Sequence, residues 1–434
     1  MGLTKKTVRD IDLQNKRVLL RADYNVPVQN GVITDDFRIR QSLPTVDYIL
    51  SQPGTSLVII SHLGRPEGAS DQGASLEPVA TTLQELLGKK VRFVASNTGE
   101  EVKQASSSMQ PGDILMLENL RFNPGEENNS IEFAKAVVEA TGAQVFIQDG
   151  FGVVHRAHAS TDAMAKLLPS VGGLLLEKEV DTIAKIMQAP ARPLITVVGG
   201  AKISDKIEIL NRFIDFADCV AVGGGMANSF LAAEDVRVGK SLVEPGALES
   251  AREILQKAKK TESERPFNFM LPVDVVVSTK TDGSAPTRIV DLSSHSLADI
   301  MAYPKRPERA AVEIADDEMI LDIGPVSAGY ISGAIKLSNT VIWNGACGVT
   351  ETKGLAGASG PFAHGTKMIV DAMIGTSRYH QNRPFSLVGG GDTVGYVEEQ
   401  GLTEEFGHVS TGGGASLELM AGRNLPGIEI LGDK

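Results

Sequence analysis

Residues 385–395 read FSLVGGGDTVG: a short apolar run passes straight into Gly389, Gly390 and Gly391, and then into an acid, Asp392. Glycines at the end of a strand let the chain take positive φ or let a ligand approach the backbone closely. Phosphate is the usual ligand of such a turn. A carboxylate beside a phosphate repels it, so the pairing makes sense only with a cation between them. Working outward, apolar runs of the same kind recur in the first half as RVLLRADYN (17–25), SLVIISHLGRP (56–66), DILMLENLRF (113–122) and QVFIQDGFG (144–152). The second half offers PLITVVGGAK (193–202), CVAVGGGMA (219–227), VDVVVS (273–278) and TVIWNGACG (340–348) beside the opening stretch. Between them lie amphipathic helix signals, the pattern of parallel sheets with helices on both faces. Two such sets predict two doubly wound α/β domains. The segment LPSVGGLLLEKEVDTIAKIMQAPARP (168–193) lies between the sets and predicts a connecting helix over Glu177 to Gln188, bracketed by hinges. TKTDGSAPTRIVDLSSHS (279–296) reads as a surface excursion.

Composition narrows the class. A chain of 434 residues exceeds one ordinary core, and its 42% apolar and 22% charged residues are those of a globular protein. The net charge of −12 argues against a general nucleic-acid or membrane-surface binder, which needs a basic face. Cys219 and Cys347 stand far apart in apolar runs and predict neither a disulfide framework nor a zinc site. The start MGLTKKTVRD lacks the apolar core of a signal peptide, and no apolar stretch approaches a membrane span, so the expectation is a soluble, cytoplasmic protein.

In open α/β sheets ligands bind beyond the carboxyl ends of the strands. The first-half strands end in Asp23, Asn25, His62, Arg65, Arg121, His155 and Arg156, with Arg38 in the neighbouring TDDFRIR segment. Arginine presents a planar fork to carboxylate and phosphate, so this set describes a pocket for a small, multiply anionic molecule. Singly, each residue also reads as solvated loop; their recurrence at successive strand ends carries the argument. The second-half strands end in glycine instead. VVGGAKISDK adds Lys202 and Lys206, which share a face if a helix begins there, and STGGGASLELM places glycines before an apolar helical run. Four glycine clusters, two with Lys or Asp attached, point to a nucleotide. Neither G-x-G-x-x-G nor the P-loop pattern occurs; GFGVVH (150–155) puts His155 where the third glycine belongs. Asp392 beside a phosphate cradle fits Mg²⁺ carried on ATP or ADP, held by a carboxylate and the phosphates.

RADYNVP, SHLGRP, LENLRF, HRAHAS, GGAKISDK, GGGDT and STGGGASLEL, in this order, resemble the signatures of the phosphoglycerate kinase family, and the likeness covers nearly the whole chain. The resemblance implies two Rossmann-like domains joined by a helix and hinge. A 3-phosphoglycerate domain would span 1–175 with a return segment at about 410–434, the helix 176–190, and a Mg-nucleotide domain 191–409. By motif, Asp23, Tyr24, Asn25, Arg38, His62, Leu63, Gly64, Arg65, Arg121 and Arg156 would bind the glycerate. Lys202, Lys206, Asn344, Glu351, Gly390, Gly391, Asp392 and Thr393 would bind the nucleotide, with Asp392 at the metal. Gly412, Gly413 and Gly414 resemble the loop whose amides receive the migrating phosphoryl group, and Arg38, Lys202, Lys206, Gly413 and Gly414 would be catalytic. The family's pattern is departed from at Gly150, Val153 and Val154 and, after WNG, at Ala346, Cys347 and Thr350.

The implied reaction moves a phosphoryl group between ATP and the carboxylate of 3-phosphoglycerate, giving ADP and 1,3-bisphosphoglycerate, in line and after domain closure. An acceptor carboxylate is already ionised at pH 7 and needs no general base. The resemblance further implies a monomer acting on small molecules, with neither nucleic acid nor membrane as partner. Two rivals remain at this point. A non-catalytic nucleotide module would keep the glycines but has no need of the first-half arginines; a dehydrogenase would need the missing fingerprint.

Overall fold

The computed structural model describes residues 2–66, 68, 71–292, 313–354, 360–375 and 383–434. They fall into two compact units, one of residues 1–188 with 411–434 and one of residues 189–410.

The first unit is built on a parallel sheet of β1 (Arg17–Arg21), β4 (Ser56–Ile60), β5 (Val91–Val94), β6 (Ile114–Leu117), β7 (Val145–Gln148) and β8 (Ser170–Gly172), in the order β5-β6-β4-β1-β7-β8. A small hairpin, β2 (Val28–Gln29) and β3 (Val32–Ile33), stands apart from it. Strands covered on both faces must be apolar on both, which is why they read as unbroken apolar runs. Val18 and Leu20 of β1 join one core with Ile39, Val46, Val79 and Leu83, from the helices Phe37–Leu50 and Glu77–Leu87. Leu19 between them joins a second core with Val102, Phe133 and Val137, from the helices Gly99–Ser107 and Ile131–Thr141. The chain winds outward from β1 in both directions, so the carboxyl end of β1, between β4 and β7, is the switch point where a crevice must open.

The second unit repeats the plan. Its parallel sheet contains β9 (Leu194–Val198), β10 (Cys219–Val222), β11 (Asn268–Met270), β15 (Thr340–Asn344), β16 (Phe385–Gly389) and β17 (His408–Val409), in the order β11-β10-β9-β15-β16-β17. The switch point is the end of β9, between β10 and β15. The repeated pattern predicts that the run VDVVVS joins this sheet, and it does not. As β12 (Asp274–Ser278) it pairs antiparallel with β13 (Arg288–Asp291) and β14 (Met319–Ile323) in a separate small sheet. An apolar run fixes that a strand is buried, not the direction of its neighbour. The predicted surface excursion therefore contains a strand, β13; its residues 293–296 lie outside the described residues.

The connecting helix runs Leu174–Gln188, three residues longer at its start than its sequence predicts, and groups with the first unit. No helix among the described residues is long and apolar enough to cross a membrane.

Candidate active site

At the switch point of the first sheet a cavity of about 400 Å³ is lined by Asp23, Asn25, Arg38, His62, Gly64, Arg65, Arg121, Gly152, Val153, His155, Arg156 and Gly412 to Gly414. Four arginines thus face one space. Asp23 leaves the end of β1 and is buried; its Oδ2 accepts from Arg38 NH1 at 2.6 Å and its Oδ1 from the Asn25 amide at 3.2 Å. Burial pushes the Asp23 carboxyl up, but Arg38 foremost, with Arg21 and the Asn25 amide, holds it below its ordinary value, so it is ionised. The pair forces the glycine opposite: a Cβ at Gly152 would lie 2.1 Å from Asp23 Oδ2 and 3.2 Å from Arg38 NH1. Asn25 Oδ1 accepts from the Gly64 amide at 2.8 Å, and Arg121 NH1 donates to the Gly64 carbonyl at 2.7 Å, which ties three of these loops together. Arg121 Nε lies 3.2 Å from Glu127 Oε1 without the alignment of a hydrogen bond. Neither Arg65 nor Arg156 forms an ion pair among the described residues, so their charge is available to an anion.

Two residues expected in this pocket are not among those lining it. Tyr24 is fully buried, its hydroxyl 2.8 Å from Ser42 Oγ, and Leu63 packs in the same core. Side chains alternate along an extended backbone, so Asp23 and Asn25 face the cavity while Tyr24 faces the core. Conversely, the motifs gave no role to Asn119, whose buried amide donates to the Leu63 and Ala74 carbonyls at 2.7 and 2.8 Å and accepts from the Arg121 amide at 3.0 Å. Nor did they to Arg21, Glu126 and Ser160, a buried network behind His62. For Arg21 the available signal was a charge closing the apolar run of β1, which must find partners where it is buried.

The glycine loop 412–414 reaches the cavity because Thr411 is anchored: its amide and hydroxyl both donate to Glu179 Oε1, at 2.7 and 2.8 Å. Gly413 has φ 51° and precedes the helix Gly414–Met420.

In the second unit, β9 and β15 end so close together that a Cβ on Gly199 would lie 2.1 Å from the Ala346 carbonyl oxygen, and one on Gly345 2.2 Å from that of Gly199. Into this turn Lys206 extends Nζ, donating to the Gly199 carbonyl (2.6 Å), the Asn344 carbonyl (3.0 Å) and Asn344 Oδ1 (2.7 Å). Burial lowers its ammonium to about 8, against the pull of Asp392. Lys202 and Lys206 do not share a helix face: Ser204–Lys206 is a single 3₁₀ turn, and the helix begins at Ile207. Glu244 accounts for this by accepting from the Ser204 amide at 3.0 Å and its hydroxyl at 2.5 Å, leaving Lys202 exposed outside the helix.

Gly390 (φ 93°) turns the chain into the helix Gly391–Glu399, with Asp392 exposed in its first turn. Thr393 is buried and its hydroxyl accepts from the Gly345 amide at 2.7 Å, which joins the turns after β15 and β16. Glu351 is exposed in the turn 350–352 and forms no ion pair with these groups.

The donor set fits Mg²⁺ brought by a nucleotide. One exposed carboxylate, Asp392, stands beside a glycine turn, suited as the metal's protein ligand, and the buried Asn344 Nδ2, a donor without a partner, suits a phosphate oxygen. No group of three or more His, Cys, Asp or Glu among the described residues could hold a metal unaided.

Comparison with known proteins agrees with this geometry. The family profile of phosphoglycerate kinase matches residues 8–423. The phosphoglycerate kinases of Moorella thermoacetica and Dictyoglomus turgidum are 40% and 42% identical, over 432 and 436 residues, each alignment covering both chains in full. The phosphoglycerate kinase structure from Coxiella burnetii superposes with a TM-score of 0.77 at 34% identity, and that from Pyrococcus horikoshii with 0.79 at 27%, each covering 98% of both chains. An anion pocket at one switch point, a glycine and lysine turn at the other, and likeness along the full length all lead to one assignment: the chain belongs to the phosphoglycerate kinase family.

Proposed function

We propose that the cavity of the first unit holds 3-phosphoglycerate and the glycine turns of the second hold Mg-nucleotide, for the family's glycolytic reaction, reversible phosphoryl transfer between ATP and 3-phosphoglycerate. The observation that carries this reading is the convergence of Arg38, Arg65, Arg121 and Arg156 on one cavity of a protein whose net charge is −12. Such a concentration of planar cations exceeds what the contacts of Arg38 with Asp23 and of Arg121 with Gly64 use, and suits a molecule bearing both phosphate and carboxylate.

Arg65, Arg121 and Arg156 bind the acceptor, with Asn25 and His62 as neutral partners. Asp23 holds Arg38 by an ion pair and leaves the rest of its fork for the group in transfer. The acceptor carboxylate is ionised at pH 7, so the chain supplies no base; catalysis is alignment and charge neutralisation. Lys202, Lys206 and the amides of Gly413 and Gly414 supply positive charge or N–H donors, and Asn344, Gly390, Gly391 and Thr393 shape the phosphate turn. Glu351 serves the nucleoside. Asp392 would hold Mg²⁺, which when bound neutralises phosphate charge. The same reading makes the protein a cytoplasmic monomer acting on small molecules, and the net charge of −12 does not favour a nucleic-acid or membrane-surface partner.

The test is a coupled assay with 3-phosphoglycerate and MgATP, together with Asp392→Asn. That variant should weaken Mg-nucleotide binding while glycerate affinity, followed by calorimetry, stays close to the parent's. Equal loss of both affinities would contradict the division of labour.

A further inference from the structure

Arg21 is the last residue of β1, closing an apolar run, and is about 1% exposed. Its Nε donates to Ser160 Oγ at 2.7 Å, its NH1 to the Ala22 carbonyl at 2.5 Å, and its NH2 lies 3.2 Å from Nδ1 of His62. Glu126, fully buried, holds the other side: its carboxylate accepts from the Ser160 amide at 3.0 Å and the Ser160 hydroxyl at 2.5 Å, and lies 4.0 Å from Arg21 NH2.

A guanidinium carries only donors. Its contact with His62 therefore requires Nδ1 to be the acceptor, with no proton, and a neutral imidazole must then carry its proton on Nε2. The other neighbour able to draw a proton onto Nδ1 is Asp23. Its Oδ1 is 3.9 Å away, beyond hydrogen-bond reach, and its two oxygens already accept from Asn25 and Arg38. The groups facing His62 come from four elements. Asp23, after β1, favours the charged ring; Arg21 in β1, Arg121 after β6 and Arg38 on the helix Phe37–Leu50 disfavour it, and burial, the largest effect, does so as well.

We propose that Arg21 is a positioning residue for the phosphoryl acceptor: held by Ser160 and Glu126, its guanidinium fixes His62 as the neutral Nε2–H tautomer, so that this histidine enters the cavity as a directed hydrogen-bond donor. His155, which also lines the cavity, accepts from Arg156 Nε at its own Nε2 (3.1 Å), and burial and Arg156 disfavour its charged form, so the cavity's positive charge is carried by the arginines and does not vary through the range in which histidines ordinarily titrate. This rests on the reading of the cavity as the 3-phosphoglycerate site.

The test is a long-range ¹H–¹⁵N correlation spectrum of the full chain labelled with ¹⁵N-histidine, followed from about pH 5 to 8. His62 should show a protonated Nε2 and a bare Nδ1 throughout. A ring that titrates in this window, or carries its proton on Nδ1, overturns the proposal without any variant having to fold. Arg21→Met combined with Glu126→Gln, which leaves no buried charge unpaired, should release the ring. The proton of His62 is then shared between Nδ1 and Nε2, and KM for 3-phosphoglycerate rises roughly tenfold, the loss of one directed hydrogen bond, while kcat changes much less. A spectrum of His62 unchanged in that variant removes Arg21 from the role. Adding 3-phosphoglycerate to the parent should shift the Nε2–H resonance. If that resonance does not move while the tautomer holds, it is the cavity reading that fails and not the lock.

Discussion

Arg38 sits in the first turn of its helix with one arm of its fork on Asp23, at 2.6 Å, and about a quarter of its side chain exposed. If its charge acts on the group in transfer and hardly in either binary complex, its loss falls on the transition state. Arg38→Ala should lower kcat by on the order of 10³-fold or more, with nucleotide affinity little changed. Arg38→Lys should rescue poorly, because an ammonium cannot serve Asp23 and a phosphoryl oxygen with one planar fork. Near-normal turnover in the alanine variant would remove Arg38 from the catalytic set. Lys206 offers a second residue-scale reading through pH. Burial holds its ammonium at about 8, and a polyanionic nucleotide must favour the charged form. Binding of MgADP should therefore take up a proton above about pH 8, and affinity should fall by up to about tenfold per pH unit in that range. Calorimetry in buffers of different ionisation enthalpy reads this directly, and Lys206→Met should abolish it. For the free protein the sign is opposite: the unfolded lysine keeps its proton to higher pH, so this group adds stability as pH rises past 8.

The helix Leu174–Gln188 shows how an element is set by residues far away in the chain. Its first amides are capped by Asp149 Oδ1, which accepts from Leu175 at 3.0 Å and Leu176 at 3.1 Å, and by Thr45 Oγ1, which accepts from Leu174 at 3.0 Å. No local capping residue announced this start, so the sequence placed it three residues late. Asp149 is fully buried, and that burial pushes its carboxyl up from 3.8 to about 6 despite these donors. Its stabilising proton is in place below about pH 4 and is lost as pH rises through 6, a cost of about 3 kcal/mol at neutral pH. Asp149→Asn, which keeps the Oδ1 acceptor, should be more stable than the parent by about 1–3 kcal/mol at pH 7 and equal to it near pH 4, read by urea unfolding. A loss of stability at pH 7 would show that the carboxylate's charge on the helix terminus outweighs its desolvation. The same distinction between local and remote causes governs what could be read in advance. Parallel strands such as β1 and β4 announce themselves because both faces are buried, and the cavity arginines do so because a charge at the end of an apolar run is conspicuous. The pairing of β12 with β14 and the hold of Glu244 on Ser204 join residues 40 or more apart, and the Arg21–Ser160 bond joins residues over 100 apart, which no local pattern encodes.

At the scale of the whole molecule the chain leaves the first unit after Gln188 and returns to it at Thr411. What returns is structural as well as functional. Beyond the glycine loop, Met420, Leu425, Ile428 and Leu431 are buried, the Lys6 amide donates to the Gly432 carbonyl at 2.7 Å, and the Gly432 amide donates to Ser170 at 2.9 Å. Lys5 closes the seam with an ion pair to Asp433 at 2.8 Å. The first unit therefore takes in residues 411–434, which follow the whole of the second unit in sequence, while the second is continuous and holds its own sheet. Deleting residues 425–434 removes three buried aliphatic side chains, each worth about 1.5–3 kcal/mol, and strips hydrogen bonds from β8 and the N-terminal segment. Scanning calorimetry of that truncated chain should show one transition moved down by many degrees, no longer responsive to 3-phosphoglycerate, and a second close to its original temperature that MgADP still raises. The full chain should show both responses. If the deletion moved both transitions equally, the two units would melt as one cooperative block, and the independence implied by their separate cores and sheets would be wrong.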